Sequence, residues 1–212
     1  MDVYTQYSTD KDINKIIDTI NEMQKGVFSA CHGRYHAMFV VDMMEHILQS
    51  LSYDLRTVEL GKIAALMHDI GNIAGRWNHA RKSAALAAVF LDGSQLPPNE
   101  KDMVVQAIED HSVGKQISSA VGAALLIADK VDISKRRVLP FEKIDDWHKN
   151  LLEIEDVCVQ VSGKSILISY TTTEAFSKEL LISDYAKGFK LPKKAAEYLG
   201  CTCRFQFNGK DE

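Results

Sequence analysis

The chain has 212 residues, 46% of them apolar, with a formal net charge of −4. That length buries a sizeable core of one domain plus a smaller appendage. No apolar run approaches the roughly 18 residues a membrane span requires, and the acidic balance argues against broad nucleic-acid affinity. The start, "MDVYTQYSTDKD", carries no basic region ahead of an apolar stretch, so a cytoplasmic protein is expected. Four cysteines without a CxxC pair fit a reducing compartment.

From Asp10 to about Leu139 apolar residues recur at helical spacing. Ile13, Ile16, Ile17, Ile20 and Met23 form the first stripe, with Asp10 as cap and Gly26 near the end. A second helix holds His36, Phe39, Val40, Met43, Ile47 and Leu51. The third starts near Thr57, carries Ile63, Leu66, Met67 and Ile70, and is stopped by Gly71. An alanine-rich fourth covers about His79 to Leu91. "LPPNEKD" then breaks the pattern, Asn99 caps a fifth helix running to His111, and a sixth spans Ser119 to Val131. "SKRR", from Ser134 to Arg137, reads as a solvated basic turn.

After about Leu151 the period changes to two. Val157, Val159 and Val161 alternate with polar neighbours, "SGK" is a turn, and Ile166, Ile168 and Tyr170 alternate again, which predicts a β-hairpin. Thr171 with Glu174 resembles a capping box for a helix ending near Gly188. Pro192 opens a short helix closed by Gly200, and Cys201, Cys203, Phe205 and Phe207 share one face of a third strand. The expected class is mainly α, a helical domain over 1–150 with a small α+β extension over 151–212. The exposed side of the hairpin is a candidate homodimer surface.

Several polar residues interrupt the apolar helices. His36 lies on the stripe of its helix, and His68 and Asp69 sit side by side at the end of the third. His79 heads the fourth helix, His111 ends the fifth, and Asp129 interrupts "AALLIADKVD" in the sixth. A buried carboxylate needs a cation or several donors, and a buried imidazole a partner at each nitrogen, so either something is bound there or these side chains are exposed. Each alone reads as a cap or a surface residue. Together they are a set of good ligands for a borderline divalent metal.

The order His36 in "GRYHAMFVVDMMEHIL", His68-Asp69 in "LMHDIG", and Asp129 in "LLIADKVD" resembles the HD-domain metal-dependent phosphohydrolases over about residues 25 to 139. The added histidines His79 and His111 resemble the dinuclear subset, including bacterial members that hydrolyse dinucleoside tetraphosphates. The resemblance implies an HD-domain helical bundle in which His36, His68, Asp69 and Asp129 hold one metal, His79 and His111 hold a second, and Asp69 bridges. It also implies His68 and Asp69 as the catalytic pair. Manganese, iron, cobalt, nickel and zinc all suit this shell. Two cations sharing a carboxylate acidify a bridging water for in-line attack on phosphorus.

Departures from the family pattern are visible. Asn72 stands where many members have Lys, while Asp110 before His111 and the lack of "GYP" disfavour the cyclic-dinucleotide subgroup. His32, four residues before His36 and on the same helix face, is a candidate further ligand, with a cap or a solvent-facing residue as the simpler reading. Among Arg34, Arg76, Arg81, Lys82, Lys130 and Arg137, the first choices for phosphate contact are Arg76 and Lys130. Asp132 and Glu109 read as outer supports of the ligands or as exposed acids. The substrate implied is a small, nucleotide-like phosphate. Di-iron oxygenases on a related scaffold, and a regulatory module with structural metal, are the competing readings.

Overall fold

Helical spacing in the first part of the chain and alternation in the last build two kinds of layer. The computed structural model describes residues 2–25, 30–112, 116–138 and 146–211. A short α1, Val3–Ser8, absent from the expectations, is capped by Asp2 and precedes α2, Lys11–Gln24, capped by Asp10. In α2 the inward stripe is Ile13, Ile17, Ile20 and Gln24. Met23 is exposed because the Gln24 amide takes the inward position, accepting a hydrogen bond from the His32 backbone N–H at 2.7 Å. The expected stop at Gly26 lies outside the described residues.

Helices α3, Arg34–Ser50, and α4, Leu55–Met67, pack together; Asp54 caps the second, which starts two residues ahead of the expected Thr57. Gly71 does not stop α4. The helix ends at His68, and Gly71 lies in a 3-10 turn, Ile70–Ala74. Helix α5, His79–Asp92, follows, then α6, Pro98–Asp110. Asn99 sits in the first turn of α6 and not at its cap, because Pro98 takes the first helical position, where a missing N–H costs nothing. Helix α7, Ala120–Val131, is apolar on nearly every face and therefore runs through the centre, capped by Ser119.

A 3-10 turn, Lys135–Arg137, corrects the reading of "SKRR": Lys135 and Arg136 are exposed, but Ser134 and Arg137 are buried. Helix α8, Asp146–Leu152, leads into β1, Ile154–Ser162, and β2, Ser165–Thr172, the expected hairpin, turning at Gly163 with φ +56°. Thr171 belongs to β2 and caps nothing. Ser177 instead caps α9, Lys178–Asp184, and α10, Ala186–Tyr198, contains both Gly188 and Pro192, so neither ends nor opens a helix. Strand β3, Thr202–Phe207, pairs parallel to β2, which requires the crossover that α9 and α10 supply. A two-residue β4, Lys210–Asp211, returns through Asn208–Gly209, both at positive φ, giving sheet order β1-β2-β3-β4.

The sheet turns Val157, Val159, Ile168, Tyr170, Phe205 and Phe207 inward, and Phe189 of α10 packs edge-on to Phe205 at 4.8 Å. Helix α10 lies between the sheet and α7, so both parts of the chain share one apolar core. Two polar ties reinforce the join. Tyr170 Oη donates to the Val131 carbonyl, and His46 Nε2 meets the Val159 carbonyl at 2.8 Å. No helix among the described residues is long and apolar enough to cross a membrane.

Candidate metal centre

A helix end leaves its last carbonyls without partners, and two of the site histidines use that. His68 closes α4 with Nδ1 2.7 Å from the Ala65 carbonyl, and His111 closes α6 with Nδ1 2.6 Å from the Ile108 carbonyl. His79 Nδ1 lies 3.2 Å from the Arg76 carbonyl, and His36 Nδ1 lies 2.6 Å from Asp132 Oδ2. With each Nδ1–H donating, each Nε2 keeps a lone pair aimed elsewhere. One ring nitrogen of each histidine thus has a protein partner, and the other is left able to serve a metal.

The Nε2 atoms meet in two pairs around Asp69. His36 and His68 Nε2 are 3.2 Å apart, lying 3.6 and 3.3 Å from Asp69 Oδ2. His79 and His111 Nε2 are 3.3 Å apart, lying 3.4 and 3.7 Å from Asp69 Oδ1. Asp129 Oδ1 joins the first pair, 3.3 Å from His36 Nε2 and 3.9 Å from His68 Nε2. Ligand atoms sharing one cation at about 2.1 Å sit about 3.0 to 3.4 Å apart, so both groups have near-coordination spacing. Lone pairs facing across such gaps repel unless a cation or proton lies between them. The donor set fits divalent metal, with Asp69 offering one oxygen to each group.

Burial and charge agree with that use. His36, His68, Asp69, His111 and Asp129 are all at most 6% exposed. Burial, reinforced by the charge of His68, pushes His111 down to about 3, so it is a neutral donor. At Asp69 burial alone would favour the protonated acid, but the charge of His68 and its hydrogen bond outweigh it and hold the carboxyl well below its ordinary range. At Asp129 burial is likewise overcome, by Lys130 and the His36 hydrogen bond. Both acids are ionised where ligands must be.

Close backbone approach sets the spacing between the two groups. A Cβ on Gly71 would lie 2.3 Å from Ser83 N and 2.5 Å from the His79 carbonyl, so only glycine lets the turn after Asp69 press against the start of α5. Gly71 N–H also donates to Ser83 Oγ at 2.8 Å, and Asn78 enters α5 in the left-handed region at φ 56°.

Supporting residues were only partly visible in the sequence. Asn72 donates from Nδ2 to both Oδ1 and the carbonyl of Asp69, at 3.0 Å each, so the residue replacing the family Lys orients the shared carboxylate. Asp132 is fully buried, which settles its role as the partner of His36, whereas Glu109 is exposed. Arg137 is held by the Cys31 and Asp132 carbonyls. His32 neither caps α3, whose cap is Gly33, nor faces solvent; it lines the cavity, its ring 5.8 Å from that of His36.

That cavity, about 440 Å³, opens beside Asp69, His79, His111 and Asp129. Arg76, Lys130 and Arg137 also line it, whereas Arg34 pairs with Asp18, Lys82 binds the Ala74 and Gly75 carbonyls, and Arg81 is exposed on α5. Lys130 Nζ is 2.5 Å from Asp129 Oδ2. Trp147, His148 and Leu151 of α8 complete the lining with Asp184 and Tyr185 from the α9–α10 junction. No local pattern marked these five.

The family model described as HD domain matches residues 33–162, more than half of the chain and inclusive of all six ligand candidates. The chain belongs to the HD-domain family. The match runs past the helices into β1, further than the resemblance to about residue 139 suggested. The chain is 27% identical over 158 residues to Ribonuclease Y of Mycoplasma mycoides, covering 71% of this chain and 35% of the relative, so it spans about a third of that protein's length. A crystal structure described as a predicted HD superfamily hydrolase, from an uncultured Thermotogales bacterium, is 21% identical and similar over 63% of this chain and 75% of its own, with a TM-score of 0.49.

Proposed function

We propose that this HD-domain protein is a metal-dependent phosphohydrolase acting on a nucleotide or another small phosphate ester or anhydride. The observation that carries the reading is one buried carboxylate, Asp69, presenting its two oxygens to two separate histidine pairs. His36, His68, Asp69 and Asp129 would hold one divalent ion, and His79 and His111, with Asp69, a second. Manganese, iron, cobalt, nickel and zinc suit the shell. Bound cations would supply Lewis acidity toward phosphoryl oxygens and an acidified water.

The protein's own part is orientation and charge. Asn72 fixes the Asp69 carboxylate, Asp132 fixes the His36 ring, and the Ala65 and Ile108 carbonyls fix His68 and His111. Arg76 and Lys130 are the proposed phosphate contacts. Lys130 keeps two further N–H donors beyond the one given to Asp129, so it can neutralise a substrate oxygen without leaving its carboxylate. The relative named as a ribonuclease would break the same kind of bond, a phosphate ester. A cavity of about 440 Å³ suits a small substrate.

Elemental analysis of the purified protein, then phosphate release from an ester panel by wild type and Asp69→Ala, tests the proposal. Metal bound and phosphate released by wild type, both lost in the variant, is the expected result. Redox-active iron with oxygen consumption and no phosphate release would replace hydrolysis with oxygenase chemistry.

A further inference from the structure

The hydrolase reading leaves part of the cavity lining without a role. That part includes two aromatic rings brought together from separate elements, Trp147 of α8 and Tyr185 between α9 and α10. Their ring centroids are 5.5 Å apart and their planes tilted by 37°, forming an angled corner. The core aromatics lie elsewhere: Tyr170, Phe176 and Phe207 stack on one another against the sheet.

The corner is built at a local cost. Glycine inside a helix is destabilising relative to alanine, yet α10 carries Gly188 in its first turn. A Cβ there would fall 2.0 Å from both Cδ1 and Cε1 of Tyr185. The Cδ1–Cε1 edge of the ring thus occupies the space that any side chain at position 188 would fill. Helix α10 in turn packs on α7, which carries Asp129 and Lys130, so the ring's position is referenced to the metal ligands.

We infer that Trp147 and Tyr185 form a seat for a planar base, which makes the substrate a nucleoside phosphate whose phosphate reaches Arg76, Lys130 and Asp69 while its base stacks in the aromatic corner. This deepens the hydrolase reading and rests on it for the position of the phosphate. Asp184 and His148 line the same cavity and would offer polar groups to the base edge. Base-on-aromatic stacking improves binding by on the order of 10- to 100-fold over a ligand lacking the base.

The chain has two tryptophans, and Trp77 is 83% exposed, so Trp77→Phe leaves Trp147 as the sole reporter. Metal-loaded Trp77→Phe protein is titrated with adenosine 5′-phosphorothioate and with ribose 5-phosphate, following tryptophan emission and competition. Saturable quenching by the nucleotide, with at least about tenfold tighter binding than the sugar phosphate, is expected. Adding Tyr185→Leu or Gly188→Ala is expected to shrink that preference severalfold, with folding checked by the melting curve. Equal affinity for both ligands, or silent Trp147 emission, overturns the inference. Quenching without phosphate release from any ester would sink the hydrolase reading and leave the seat standing; release from both ligands alike with Trp147 silent would do the reverse.

Discussion

The helical part and the C-terminal part bury polar atoms on opposite terms. Among the described residues, α3–α7 and the turns between them bury three histidines, three aspartates and an asparagine at 6% exposure or less, while β1–β4, α9 and α10 bury no charged or amide side chain. The second region obeys alternation and amphipathic spacing and reads as packing. The first breaks its own apolar pattern, and each break is compensated by a carbonyl, a carboxylate or a facing ligand atom. Where burial of charge is this costly, a cluster of such breaks marks a site.

The contrast is open to direct attack. Asp69→Ala, in the first region, is expected to lower phosphate release at least about a thousandfold and to abolish metal in elemental analysis, because both ligand groups lose their shared member. Metal retained at full stoichiometry would dismantle the shared-carboxylate picture. Phe205→Ala, in the second region and 2% exposed, is expected to cost about 3–5 kcal/mol in urea unfolding while the folded fraction keeps its metal. Metal loss in that variant would show that the sheet shapes the centre directly.

Asp132→Asn is expected to weaken metal binding by about 10- to 100-fold in chelator competition, since the amide can still face His36 Nδ1 but without charge. An unchanged affinity would make Asp132 a packing residue only. The pH response separates the regions further. His111, held by burial near 3 against an ordinary 6.5, stays neutral in the fold while the unfolded chain takes the proton. Stability of chelator-treated protein is therefore expected to fall as pH drops from about 6.5 toward 3. Asp69 and Asp129, both lowered, add to the loss below about pH 4, as pH falls toward their folded values. His68 acts oppositely: burial is outweighed there by Asp69 and Asp129, its raised value stabilises below the ordinary pKa, and this is lost as pH rises through it. Urea midpoints that rise on acidification would show His68 in control. Arg136→Ala, which removes the 2.9 Å surface pair with Asp156, a 3.4 Å bond to Ser134 Oγ and a contact over the Tyr35 ring, is expected to shift the apparent stability by less than about 1 kcal/mol.

By itself the sequence determined the two periods, the order of the major helices, the hairpin, and the six His and Asp side chains that interrupt apolar stripes, since periodicity and broken periodicity are local signals. It misplaced ends where a tertiary contact outranked propensity. Gly71 looked like a helix stop because glycine often is one, but its role is the close approach to Ser83 and His79. Arg137 looked solvated, but carbonyls 106 and 5 residues away hold it. Only the tertiary structure decided that Asp69 faces two histidine pairs, that Asp132 is the partner of His36, and that Trp147 and Tyr185 line the cavity. Those relations join residues tens of positions apart, and no local pattern of residue types encodes which distant side chain a buried polar atom will meet.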